Sequence, residues 1–126
     1  VADKKVVVMS MPQEDEQTAI YDLLLDMDLT VHRASSGRDT IYLMEDYAPD
    51  LLILDQNLTD MHAFKLLMEL KERVRISKLP ILVIANDHKV IPLENISTLV
   101  RPVGIRQLEQ TITSLLKSHN DKPADS

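Results

Sequence analysis

Cysteine is absent from this sequence of 126 residues, which excludes disulfides and thiolate metal sites and fits a reducing compartment. Glycine is almost absent: only Gly37 and Gly104 occur, too few for a phosphate-cradling loop or a dinucleotide fingerprint. Nucleotide enzymes of those types are therefore excluded. No apolar run approaches a membrane span, and the start Val1-Ala2-Asp3-Lys4-Lys5 has none of a signal peptide's apolar segment. The formal charge is -6 with both signs interspersed, so no basic stripe exists to track a phosphodiester backbone. These absences point to one cytoplasmic domain without nucleic-acid or membrane partners. At this length it can bury a core unaided.

What is present is a β-α rhythm. Lys5 to Met9 carries the β-branched run Val6-Val7-Val8, which predicts a strand buried on both faces. From Gln13 to Met27, residues Ala19, Ile20, Leu23, Leu24 and Met27 recur at helical spacing, and Glu14, Asp15 and Glu16 fill the first turn, where the helix dipole favours anions. Leu29 to Ala34 alternates as an edge strand does, and Ser35-Ser36-Gly37 turns the chain. Ile41, Leu43 and Met44 predict a shorter helix that stops before Pro49. Strands follow at Leu51 to Leu54, at Ile81 to Ala85 and at Ile96 to Val100, with helices at Phe64 to Val74 and Gln107 to Lys117. Between Asn86 and Glu94, Pro92 and weak periodicity predict a short or irregular fourth helix. Five strands alternating with about five helices imply an α/β fold, a doubly wound parallel sheet with helices on both faces. The domain is expected over residues 1–118, with 119–126 a disordered tail or the start of a linker.

The third strand ends on a carboxylate. Pro49-Asp50-Leu51-Leu52-Ile53-Leu54-Asp55, then Leu58, Met61 and Leu66-Leu67, is the most distinctive stretch; Pro12, Gly37, Pro80 and Arg101-Pro102 punctuate the other strands in the same order. With these residues the chain resembles the receiver domain of bacterial response regulators from Lys5 to about Lys117. The resemblance implies a flavodoxin-like five-stranded sheet of order 2-1-3-4-5, with a cleft at the carboxyl ends of the first and third strands. It also implies that Asp55 stands where the family accepts a phosphoryl group from a partner kinase's phosphohistidine.

Carried over residue by residue, the resemblance also marks departures. The family holds its Mg²⁺ through an acidic pair after the first strand, and those positions are Met9 and Ser10 here. The family's hydroxyl residue after the fourth strand is Ala85, and its lysine before proline is Arg101, which keeps the cation in a different shape. Thr59 and Ala63 stand where the loop after Asp55 often has proline and glycine, so that loop is expected to be reshaped. The stretch from Ala85 to Arg101 is short for the family's fourth helix, the face by which many receivers dimerise or bind partners.

Other candidates read more simply. Glu14 and Asp15 are alternative metal ligands only if they reach over the strand ends. His32, His62, His88 and His119 lack ligand spacing and read as surface residues. Met9, Met11, Met44 and Met68 read as core filler, Met11 at the cleft rim, while Tyr21, Tyr42 and Tyr47 read as helix residues with polar tips outward. Arg101 is expected to pair with Asp55 across the cleft. Three functions follow. The first is an atypical receiver, not an enzyme and without a cofactor, that works by contact with a histidine kinase or output protein. The second is a working phosphoacceptor on Asp55 that uses Mg²⁺. The third is a small-ligand domain using the same cleft.

Overall fold

The computed structural model describes residues 4–89, 91 and 93–120, with residues 118–120 described by their backbone. Five parallel strands, β1 (Val6–Ser10), β2 (Thr30–Ala34), β3 (Leu51–Asp55), β4 (Ile81–Ala85) and β5 (Ile96–Val100), form one sheet in the order β2-β1-β3-β4-β5. Helices α1 (Glu14–Asp26), α2 (Gly37–Asp46), α3 (Ala63–Lys71) and α4 (Ile105–Asn120) connect and flank them. The fold is the flavodoxin-like sheet that the sequence implied. The two-residue period of a strand divides the core in two. Val7, Met9, Leu51, Ile53, Leu82 and Ile84 face α1 and α4, meeting Ile20, Leu24, Leu108 and Ile112. Val8, Leu52, Leu54, Ile81, Val83 and Ala85 face α2 and α3, meeting Ile41, Met44, Leu66, Leu67 and Leu70. Each fully buried leucine or isoleucine contributes about 1.5–3 kcal/mol, so the three central strands, buried on both faces, anchor the fold.

Helix ends show how the chain manages with so little glycine. Gln13 caps α1 by accepting from the Glu16 N–H through its side chain. At the other end Asp28 takes a left-handed φ of 62°, a conformation that short polar side chains tolerate better than most. Its N–H donates to Leu25 and that of Leu29 to Leu24, closing a Schellman motif, with Leu24 and Leu29 buried in one core cluster. Gly37, in contrast, owes its identity to space. A Cβ there would run into the Met61 side chain.

Several expectations need correction. About five helices were expected and four are found, because none of the described residues between β4 and β5 is helical. The described part of the crossover is irregular chain that buries Ile91 and half-buries Leu93 against the α2–α3 layer; Pro92, invoked for the break, lies outside the described residues. The final helix begins at Ile105 and runs to Asn120, so residues 119 and 120, expected in the tail, are helical; residues 121–126 lie outside the described part. Met68 is 40% exposed and is not core filler. Tyr47 lies just past α2 as its C-cap, with its ring stacked on His32 at 3.7 Å.

Candidate functional site

Sheet register fixes what meets at the carboxyl edge. Ser10 pairs with Leu54, Asp55 with Ile84 and Ala85 with Val100, so the ends of β1, β3, β4 and β5 lie side by side. In an open parallel sheet this edge carries the binding crevice. Asp55 is 6% exposed. Its Oδ1 accepts from the Asn57 N–H at 2.9 Å and its Oδ2 from Arg101 Nη2 at 2.5 Å.

Arg101 is the hub. Just past β5, with a cis bond to Pro102, it donates Nε and Nη2 to the two carboxylate oxygens of Glu16 at 2.9 and 2.7 Å. Its Nη1 donates to Asn86 Oδ1 at 2.9 Å. A planar guanidinium makes such a two-pronged contact where an ammonium does not. Hydrogen bonding to Glu16 raises the Arg101 pKa above its ordinary value; partial burial opposes this, and Asp55 adds to it through its charge and its hydrogen bond. The pair expected between Arg101 and Asp55 is formed. Glu16 was read only as a dipole residue, and its role here was missed. Glu14 and Asp15, weighed as ligands instead, are exposed on α1.

The neighbouring positions are occupied differently from a cation cage. Met9 and Met11 are both fully buried in the α1–α4 layer, so Met11 does not line a cleft rim. Ser10 is buried with Thr40, whose Oγ1 lies 2.8 Å from Ser10 Oγ and 2.6 Å from the Ser36 carbonyl. The single Thr40 hydroxyl hydrogen goes to that carbonyl, so Ser10 donates to Thr40. Ala85 presents a buried methyl group. Among the described residues, no group of three or more His, Cys, Asp or Glu side chains is arranged to hold a metal ion. Octahedral Mg²⁺ demands oxygen donors, and a thioether in the core, a hydroxyl engaged elsewhere and an aspartate held by a guanidinium do not fit it.

Two polar brackets flank Asp55. Gln56, 6% exposed, accepts from the Asn86 N–H at 3.0 Å and donates to Asp87 Oδ1 at 3.0 Å, binding the end of β3 to the crossover. That amide, followed by the Lys89 N–H, lowers the Asp87 pKa. On the other side the Asp60 carboxylate accepts from the Gly37 and Arg38 N–H groups at 2.6 and 3.1 Å, capping α2 from another loop. The Gly37 bond chiefly lowers the Asp60 pKa. Thr59 adds a bond from its N–H to the Ser35 carbonyl at 3.3 Å. Ala63 simply opens α3, without positive φ. His62 caps that helix, its Nδ1 accepting from the Phe64 N–H at 3.0 Å. Neither bracket had a signal in sequence spacing, since their partners lie 22 to 31 residues apart.

A doubly wound parallel sheet of this order, with an aspartate closing β3 at the carboxyl edge, places the chain in the flavodoxin-like class. Residues 6–113 match the family model described as the response regulator receiver domain, and the chain belongs to that family, the receivers of two-component signalling. A search of curated proteins finds no match. Solved structures agree on the fold. A chemotaxis response regulator of Vibrio cholerae is 17% identical, with 90% of this chain and 99% of that one covered and a TM-score of 0.80. A receiver domain protein of Methanospirillum hungatei is 15% identical, with coverage of 96% and 100% and a TM-score of 0.83. The receiver domain of a Pseudomonas aeruginosa sensor histidine kinase, solved with a magnesium ion in its active-site cleft, is 14% identical, with coverage of 92% and 100% and a TM-score of 0.81.

Proposed function

We propose that this domain is an atypical receiver, a signalling module and not an enzyme. It acts through contact with a histidine kinase or an output protein in the cytoplasm, with Mg²⁺-dependent phosphorylation of Asp55 impaired or absent. The observation that carries this reading is the guanidinium of Arg101, bonded at once to Asp55, Glu16 and Asn86. A carboxylate attacks phosphorus through an oxygen lone pair, and the hydrogen bonds that both Asp55 oxygens accept, one of them from a cation, lower their nucleophilicity. The guanidinium also occupies the Asp55 Oδ2 oxygen and the Glu16 carboxylate, the oxygens that a divalent cation would need as ligands. Met9 and Ser10 supply no carboxylate in their place.

The test is intact mass after incubation with Mg²⁺ and a small phosphodonor, with Asp55→Asn as control, beside a calorimetric Mg²⁺ titration. The expected result is no adduct and no heat of binding. A stoichiometric adduct that vanishes in Asp55→Asn would overturn the proposal in favour of a working phosphoacceptor.

A further inference from the structure

Among the described residues the sheet has two edge strands, β2 and β5, and they are protected unequally. At β2 (Thr30–Ala34), His32 is stacked against Tyr47 and the Arg33 guanidinium sits 3.9 Å from the centre of the Tyr21 ring. Charge and bulk of this kind discourage pairing with another chain. At β5 the sequence is Ile96-Ser97-Thr98-Leu99-Val100, with no charge, no proline and no bulge in register with β4. No helix of the described crossover covers it, and Thr98 is exposed while its neighbours are half-buried.

The direction of its backbone groups follows from the ladder. Arg101 donates its N–H to Ala85, and the Asn95 carbonyl accepts from Ile81. In a parallel ladder successive residues turn their amide groups to opposite sides, so Asn95, Ser97, Leu99 and Arg101 bond to β4, whereas Ile96, Thr98 and Val100 turn theirs outward. No described residue bonds to those outward groups. Their side chains share the α2–α3 face of the sheet, opposite Ile81, Val83 and Ala85.

The geometry points to self-association of two copies through antiparallel pairing of β5, with Thr98 on the twofold axis. A second copy is the occupant that this edge fits. Pairing about Thr98 sets Ile96 opposite Val100 of the other copy and Thr98 opposite Thr98, each pair exchanging two backbone hydrogen bonds. A two-fold contact must be self-complementary, and a strand without charge meets its own copy without facing like charges, although the whole chain carries -6. Ile96 and Val100 of both copies form one apolar strip, with the Thr98 pair between them.

Sedimentation equilibrium from about 1 to about 300 µM tests this, together with amide exchange. Thr98→Pro removes an outward N–H that β4 does not use, a position where an edge strand tolerates proline. Thr98→Lys puts like charges on the axis while leaving the backbone alone. The expected result is a mass that rises to twice the monomer's, with exchange at Ile96, Thr98 and Val100 slowing at least about tenfold as dimer forms. Both variants are expected to stay monomeric, with the far-ultraviolet circular dichroism of Thr98→Lys unchanged. A wild-type chain that stays monomeric over this range overturns the inference. So does a dimer that persists in Thr98→Lys, or one abolished by Phe64→Ser and Met68→Ser on α3.

Discussion

Replacing Arg101 with methionine keeps much of the side-chain volume and removes the charge that holds three elements together. Four hydrogen bonds go with it, two to Glu16 and one each to Asp55 and Asn86. The Glu16 side chain is 29% exposed and can turn to water, whereas that of Asp55 is 9% exposed and cannot. The penalty therefore falls mainly on Asp55. Breaking a fully buried ion pair costs about 3–5 kcal/mol; partial exposure of Arg101, at 23%, reduces the expected loss to about 2–3 kcal/mol. Asp55→Asn removes the charge, leaves Glu16 bonded to Arg101, and is expected to cost about 1–2 kcal/mol. The double variant is expected to fall short of the sum by about 1–2 kcal/mol, because the second substitution removes a charge already unpaired. Urea unfolding followed by far-ultraviolet circular dichroism measures this, the chain having no tryptophan. Coupling within about 0.3 kcal/mol of zero, the ordinary scatter for independent sites, would refute the reasoning and reduce Arg101 to a surface residue.

Two further outcomes follow from neighbouring side chains. Met9→Asp puts a carboxylate where the thioether is fully buried in the α1–α4 layer, so it is expected to lose about 3 kcal/mol or more in urea titration instead of creating a cation site; unchanged stability would contradict the burial. Asp60→Asn weakens the cap on α2 and is expected to cost about 1 kcal/mol at neutral pH. The folded pKa of Asp60 lies below the usual aspartate value of 3.8, so its contribution is present above that value and lost as pH falls through the folded pKa. Wild type and Asp60→Asn should converge in stability as acid titrations pass below pH 4, and parallel curves down to pH 2 would exclude Asp60 as the cap.

How much of the site was legible depends on how far apart its partners lie in the chain. Asp55 was located by the apolar run before it, since a buried parallel strand must surface at its carboxyl end. Arg101 was found from Arg101-Pro102 in the family pattern, and its pairing with Asp55 followed from opposite charges facing each other across one cleft. Glu16 was hidden because an acidic first turn is expected for dipole reasons alone. Gln56 and Asn86 were hidden because neutral amides carry no charge or period to mark them. Asp28 escaped notice as the end of α1 because that position usually belongs to glycine.

The sequence by itself determined the five strands, their parallel arrangement and the place of Asp55, because each follows from local periodicity and from the handedness of β-α crossovers. Only the tertiary structure decided what else gathers around the Asp55–Arg101 pair. Ser10 spends its hydroxyl on Thr40, Met9 turns into the core, and Glu16 crosses from α1 to share Arg101 with Asp55. Those outcomes depend on side-chain direction across strands and helices brought together only by folding, which no spacing along the chain encodes.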